Sequence, residues 1–254
     1  MFTALTFNME NGQIWDEADP ESETIDLQQT VDFLLRQDAD VIFLQEVEQG
    51  YEGGAQYEPP PNYQFLKDRL TGYHGLFGYP RPNPLQIPFG LGQAIFSKTP
   101  LHNLVRVELP PPEITFEYAG IERKPSYRLL LGAQTEIEGR QLTLLNTHLQ
   151  AFFMIKSSSN VHRIQRDLVE AELRKLEGAV LLAGDFNCNP EETLVGQFAG
   201  AGFQTAQNRE ITWKRMPFVL DHLFFNTPLS LESVEVIPTS ASDHHAVKGA
   251  FSFV

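Results

Sequence analysis

The run GAVLLAGDFNCNP climbs through apolar residues and closes on Asp185 and Asn187, an acid and an amide two positions apart. Other apolar runs finish the same way: LTFNMEN on Asn8, VIFLQEVE on Glu46 and LLNTHLQ on His148. TSASDHHAV brings Ser242, Asp243 and His244 together, and FVLDHLFF sets Asp221 inside an otherwise apolar strand. Carboxylate and amide oxygens are hard ligands, suited to Mg²⁺ or Mn²⁺ rather than to zinc, which favours Cys and His. Histidines with supporting acids add acid–base capacity and contacts for phosphate. An oxygen-rich Mg²⁺ site most often handles phosphate, where the ion polarises the phosphoryl oxygen, activates water and holds the leaving oxygen.

Each residue alone also has a structural reading. Asn8 can satisfy backbone groups at a strand end, Glu46 can be a solvated strand end, and His148 can be a satisfied core histidine. Asp185 and Asn187 suit an Asx turn. Asp221 is different, because an ionised carboxylate among Val219, Leu220, Leu223 and Phe224 needs a partner. That partner is either a structural arginine or a histidine such as His244.

The elements that must position these groups read as follows. FTALTFNM is a strand, and DVIFLQEV is a short continuous apolar run that suits a buried strand. Between them ETIDLQQTVDFLLRQ places Ile25, Val31, Leu34 and Leu35 at helical spacing. Residues 50–90, rich in Gly, Pro, Tyr and Asn, read as long surface loops around a short helix near YQFLKDRL. LGQAIFS and LHNLVRVEL read as strands, and PPPEITFEYAGIERKPS as a loop. YRLLLGAQTEI and RQLTLLNTHL form a hairpin with EGR at its turn. NVHRIQRDLVEAELRKLE is a helix with Val161, Ile164, Leu168, Ala171 and Leu176 as its stripe, Asn160 as its cap and Gly178 as its end. AVLLAGDFN is a strand, ETLVGQFAGAG a short helix, and late strands surround TW, VLDHLFFN and HAVKGAFSFV.

The chain of 254 residues shows no repeat or low-complexity linker, so residues 1–254 read as one domain. A chain of this length buries about three quarters of its unfolded surface. Its single cysteine, Cys188, excludes an internal disulfide. The N-terminal residues lack a signal-peptide pattern, and no apolar run approaches the roughly 18 residues needed to span a bilayer. A soluble, cytoplasmic protein is the expectation. The formal charge of −14, from 19 Lys and Arg against 33 Asp and Glu, disfavours general nucleic-acid binding. Bound divalent ions or a local basic groove reverse that at a single site.

FNMENG, LQEVE, NTHLQ, GDFNCNP and SDHHAV, in this order, resemble the endonuclease/exonuclease/phosphatase superfamily. GLGQAIFSKTPL resembles its Gly-Asn-Ala-Ile-Leu-Ser strand, with Gln93 where Asn is usual. YRLLLGAQTEI resembles its Arg-bearing strand, and HRIQRDLVEAELRKL the helix before the Gly-Asp strand. The resemblance runs the length of the chain. It implies an α/β, four-layer sandwich: two mainly antiparallel β-sheets face to face with helices outside, and the polar ends at one rim. It also implies roles. Asn8 and Glu46 resemble ligands of the principal metal, with Asp243 on the same side. Asp185 and Asn187 resemble the groups that orient the attacking water and hold a second metal. His148 resembles the histidine that contacts the phosphate or protonates the leaving oxygen, and Arg128 a phosphate contact. His244 resembles the second catalytic histidine and Asp221 its carboxylate partner. His222, His245 and Cys188 depart from the usual pattern and read as packing or rim residues.

The activity this implies is hydrolysis of a phosphate ester with Mg²⁺ or Mn²⁺. Lys67, Arg69, Arg81, Lys98, Arg123, Lys124, Arg128, Lys156, Arg163 and Arg166 offer a local basic patch for a nucleic acid. Phe152, Phe153 and Met154, directly after the His148 strand, read either as packing under a loop or as an apolar wall beside the site. Trp15, Tyr51, Tyr57 and Tyr63 are expected on the same rim. Three readings follow: a phosphoesterase for a small, nucleotide-like or lipid-head substrate; a deoxyribonuclease or DNA-repair enzyme; and a non-catalytic binding module.

Overall fold

The computed structural model describes residues 1–254. Strands are numbered in chain order. One sheet contains β1 (Phe2–Asn8), β2 (Val41–Glu48), β3 (His74–Gly78), β4 (Leu91–Ser97), β13 (Leu229–Ile237) and β14 (Ala246–Phe253), in the order β13-β14-β1-β2-β4-β3. The second contains β5 (His102–Leu109), β8 (Arg128–Ile137), β9 (Arg140–His148), β10 (Ala179–Asp185), β11 (Phe203–Thr205) and β12 (Asp221–Asn226), in the order β11-β12-β10-β9-β8-β5. A small hairpin, β6 (Phe116–Tyr118) with β7 (Ile121–Arg123), stands apart.

Side chains alternate between strand faces, and both faces of each sheet are covered. Ala4, Val41, Phe43 and Ile95 of the first sheet meet Leu144, Leu181, Ala183 and Leu223 of the second in the central core. On the outer face of the first sheet, Leu5, Phe7, Ile42 and Leu44 pack against α1 (Leu27–Gln37) and α2 (Pro61–Arg69). On the outer face of the second, Leu145, Val180 and Leu182 pack against α3 (Ile164–Leu173) and α4 (Leu194–Ala199). The result is the expected sandwich of two sheets between helices, and it explains why the central strands read as unbroken apolar runs.

A polar clasp ties the sheets together near the rim. Asn146 of β9 donates to the carbonyls of Leu44 and Ala94 across the interface, both at 2.9 Å, and accepts from Gln45 Nε2 at 2.7 Å. All of these groups are buried, so the bonds satisfy polar atoms inside the sheet–sheet interface.

Several details differ from the sequence reading. β3 and the β6–β7 hairpin lie inside segments expected to be loops, and β13 was not foreseen. TW is no strand, since Trp213 makes only isolated bridges to Phe218 and His244. In α1, Val31 and Leu34 are buried as expected, but Ile25 and Leu35 are exposed and Phe33 completes the buried face.

The helix α3 corrects its predicted stripe. Val161 and Ile164 are exposed, and the buried face is Gln165, Arg166, Val169 and Leu173. The polar pair faces inward because it holds loops. Gln165 donates to the carbonyls of Leu109 and Ser126 and accepts from the Gln150 amide. Arg166 donates to Ser159, Asn160 and Thr193 side chains. Asn160 thus serves this network and does not cap α3, whose N-cap is Arg163.

Candidate active site

Topology brings the polar strand ends to one rim. The pairs β1–β2 and β9–β10 are parallel, with Asn8 opposite Gln45 and Asp185 opposite His148, so their C-terminal ends share an edge. The antiparallel neighbours β8, β12 and β14 begin at that same edge, which delivers Arg128, Asp221 and the His244 segment. There a cavity of about 570 Å³ is lined by Glu10, Glu46, Arg128, His148, Asp185, Asn187, Asp243 and His244, among others.

Local geometry turns each side chain inward. Glu46 has φ +50° and sits where the β2–β4 register shifts, a bulge that re-aims its side chain. Gly90 makes room for it, since a Cβ there would lie 2.2 Å from Glu46 Oε2. Gly184, before Asp185, has φ +153°, and a Cβ there would lie 2.0 Å from the Thr147 carbonyl. Asn187 adopts φ +48°; its amide donates to Asp185 Oδ1 at 2.9 Å and its Nδ2 to the Leu149 carbonyl at 3.0 Å. The Asx turn is therefore real, and it is also what fixes the Asp185 carboxylate.

Asn8 Nδ2 donates to Glu46 Oε1 and Asp185 Oδ2, both at 3.0 Å, while its Oδ1 accepts from the Glu10 amide. It braces the two acids from opposite sheets. His148 Nε2 lies 3.7 Å from Glu46 Oε1 and 3.6 Å from Asp185 Oδ2. Asp221, fully buried, has His244 as its partner: the Nδ1–Oδ2 distance is 2.8 Å. His244 Nε2 stands 3.9 Å from Asp185 Oδ2 and 3.8 Å from Asp243 Oδ1. Ser242 Oγ accepts from the His244 amide and closes the turn.

Asp243 is engaged on one oxygen, where Oδ2 accepts from Trp213 Nε1 at 2.9 Å and Arg215 Nε at 2.8 Å. Arg215 also reaches Glu10 and Glu21. Glu10 is a site residue that the sequence reading missed. Its signal was an acid two positions beyond Asn8, past the end of β1; Glu10 has φ +43° and its Oε2 accepts from the Asp243 amide. Arg215 was missed because it belongs to a loop without a strand pattern.

The electrostatics record too many negative charges for the cations present. Burial, then the charges of Asp243 and Glu46, pushes Glu10 up to about 8. Burial, then Asp221, pushes Asp185 up to about 7. Burial also raises Glu46, with Asp243 adding to it. Burial works against the charged form of His244, but Asp221, Asp243 and Asp185 overcome it and hold the ring well above the ordinary imidazole range. Burial opposes ionisation of Asp243 too, and His244, Arg215 and Trp213 overcome it, leaving that acid below its usual value. Carboxylate oxygens of Glu46 and Asp185 lie within 4.8 Å of each other and of a His148 ring nitrogen, a spacing at which the two acids suit a divalent cation.

The remaining expectations divide. His222 is buried packing, bonded to Thr205 Oγ1 and the Gln207 carbonyl and stacked on Phe224. Cys188 is buried beside Ser159, and burial pushes its thiol up to about 12, so it is no nucleophile. Phe152 packs in the interior, whereas Phe153 and Met154 line the cavity, with Phe153 against Trp213 and Phe218. Tyr63 is not on the rim: it is buried on α2 against Phe77 and Phe96. Tyr51 and Tyr57 pack on each other outside the cavity, and Phe89 and Tyr118 are the aromatic residues that line its far side. Of the basic residues expected to form a patch only Arg128 lines the cavity; Arg81 and Lys124 line a separate pocket, Arg123 and Arg166 are buried, and Lys98 and Arg163 pair with acids.

Known proteins give the same frame. A UPF0294 protein of Vibrio campbellii is 29% identical over 121 residues, 45% of this chain and 41% of that protein, so the match spans less than half of that relative. The structure of D. rerio TDP2 with a single-strand DNA product superimposes with a TM-score of 0.68 at 19% identity, over 99% of this chain and 98% of that one. A mannosyl-6-phosphatase of Bacteroides thetaiotaomicron superimposes with a TM-score of 0.69 at 15% identity, over 100% of both chains. These likenesses show a shared fold. The family description Endonuclease/Exonuclease/phosphatase family matches residues 5–244, nearly the whole length, and the chain belongs to that family.

Proposed function

We propose that the protein hydrolyses a phosphate ester bond with the help of a divalent metal ion, Mg²⁺ or Mn²⁺. The observation that carries this is the set of facing carboxylates, Glu10, Glu46, Asp185 and Asp243, where burial first and the charges of neighbouring acids second raise Glu10 and Glu46. An all-oxygen donor set of this kind suits a hard cation. Glu46 and Asp185, braced by Asn8, are its principal holders, with Asn187, Asp243 and Glu10 beside them. A cation bound there would polarise the phosphoryl oxygen and neutralise charge that develops on it.

The side chains supply the rest of an in-line displacement by water. Asp185, oriented by Asn187, takes the proton of the attacking water. His244, held charged by Asp221, donates from Nε2 toward the phosphoryl oxygens and stabilises the transition state. His148 and Arg128 line the same cavity.

The cavity favours a small ester with a neutral or apolar arm. Its Lys and Arg residues are only Arg128, buried, and Arg215, already paired with Asp243, while Glu21 and Glu23 add negative charge. Phe153, Met154, Trp213, Phe89 and Tyr118 offer apolar surface instead. A polyanion that needs several Lys and Arg contacts finds few here.

Hydrolysis of an aryl phosphodiester, an aryl phosphomonoester, duplex DNA and sphingomyelin, each with Mg²⁺, Mn²⁺ or chelator, tests the proposal. Chelator-sensitive turnover of a small ester, with little action on duplex DNA, is expected. No turnover of any ester with either metal sinks the enzymatic reading, and preferred cleavage of DNA sinks the small-substrate one.

A further inference from the structure

Arg128 opens β8 and is buried, with its Nη1 3.1 Å from Nδ1 of His148. A guanidinium has only N–H donors and keeps its proton in proteins. The direction of the bond is therefore settled: Arg128 donates and Nδ1 of His148 accepts. A nitrogen that accepts carries no proton, so the ring holds its single proton on Nε2. An imidazolium would set N–H against N–H at this distance. Nε2 is the nitrogen that faces Glu46 and Asp185.

His244 is wired the other way. Its Nδ1 meets a carboxylate oxygen of Asp221, an acceptor, and so carries a proton. The two histidines of one cavity thus have opposite inner partners, a cation and an anion.

Arg128 makes little else of its position. Its buried Nε has no hydrogen-bond partner, and the charges nearest to it are those of Glu46 and Asp185. A buried cation with so few bonds contributes little to folding. What it supplies is the direction of a single bond.

We propose that Arg128 is a positioning residue that holds His148 as the neutral tautomer protonated on Nε2. In that form His148 donates a hydrogen bond to the phosphoryl oxygen from Nε2, and Nδ1, covered by Arg128, accepts no proton from water. The catalytic consequence rests on the phosphoesterase reading; the tautomer does not.

Long-range ¹H–¹⁵N correlation spectra of the ring nitrogens at neutral pH, with His148 assigned through His148→Gln, test it on the intact metal-free chain. The expected pattern is a protonated Nε2 and an unprotonated Nδ1. A protonated Nδ1, alone or with Nε2, overturns the proposal whether or not the protein hydrolyses anything. In folded Arg128→Met the two nitrogens should move toward averaged values. An unchanged His148 pattern there also overturns it. If that variant does not fold, the wild-type spectrum still decides. With a substrate in hand, Arg128→Met should lower kcat about 10²-fold, the scale of a lost donor, while KM changes far less.

Discussion

Asp185 and Asp221 stand directly opposite each other at the ends of β10 and β12, and the imidazole of His244 bridges them, 2.8 Å from Asp221 and 3.9 Å from Asp185. Two buried acids across one ladder step repel each other, and the histidine between them must be a cation for both to ionise. Asp221→Asn removes the stronger partner. The expected result is a rate at least about 10²-fold lower and a fall in the proton affinity of His244 toward the ordinary imidazole range. Histidine titration by NMR and a pH–rate profile read the two effects separately. Wild-type turnover in this variant would take the pair out of the mechanism.

Glu10, pushed up to about 8, and Asp185, pushed up to about 7, make the metal-free protein pH-sensitive. A carboxylate raised in the folded state loses stability as pH climbs from its unfolded value through its folded one. Their contribution to the stability of the metal-free chain should therefore fall between about pH 4 and pH 8. A bound divalent cation offsets the repulsion. At a hundredfold excess over Kd it adds about 2.7 kcal/mol, which is roughly 5–10 °C in Tm for a chain of this size. Thermal scans with Mg²⁺, Mn²⁺ and chelator measure this. Glu46→Gln should abolish most of the shift.

Gly90 touches the site only by what it lacks. Gly90→Ala drives a methyl into the space of Glu46 Oε2, 2.2 Å away from where it would sit. The expected outcome is loss of metal-dependent stabilisation and a rate at least about 10-fold lower, the lower end of what misplaced catalytic groups cost. Isothermal titration with Mn²⁺ reads the binding defect directly, and an unaltered Kd would show that Glu46 relaxes without consequence.

Asn146→Leu should cost stability without touching the chemistry. It takes their Asn146 donor from the Leu44 and Ala94 carbonyls in the sheet–sheet interface, while Gln45 Nε2 keeps its bond to Thr6 Oγ1 at 3.2 Å. Each carbonyl that loses its donor costs about 1–3 kcal/mol, so a loss of at least about 2 kcal/mol is expected from urea unfolding. A loss below about 1 kcal/mol would mean the interface repacks around the leucine.

His222 should set part of the acid limit. Burial holds its ring down to about 4 from an ordinary 6.5. The unfolded chain therefore binds a proton that the folded chain refuses between those values. The sign is clear: this contribution is complete above about pH 6.5 and is lost as pH falls toward 4. The loss amounts to about 3 kcal/mol. From pH 6.5 down to about pH 4 the unfolding curves should show wild type losing stability relative to His222→Phe. Parallel curves would show that the ring is accommodated in its charged form.

Much of this protein was legible in the chain alone because strands announce themselves locally. Unbroken apolar runs such as VIFLQEVE and AVLLAGDFN belong to strands covered on both faces, and their polar ends marked Asn8, Glu46, His148 and Asp185. Ordered along the chain, those ends resembled one superfamily, and the two-sheet architecture followed from that. Tertiary structure alone decided what depends on which groups face each other. Glu10 and Arg215 join the site through contacts with Asp243 more than 200 and nearly 30 residues away in sequence. α3 turned Gln165 and Arg166 inward because distant loops supplied their partners, overriding the apolar stripe. Arg128 met His148 across β8 and β9, and that contact, invisible in the spacing of either residue, determined which ring nitrogen bears the proton. Hydrophobic periodicity is written in neighbouring residues, whereas hydrogen-bond direction and charge balance belong to pairs that only the folded chain brings together.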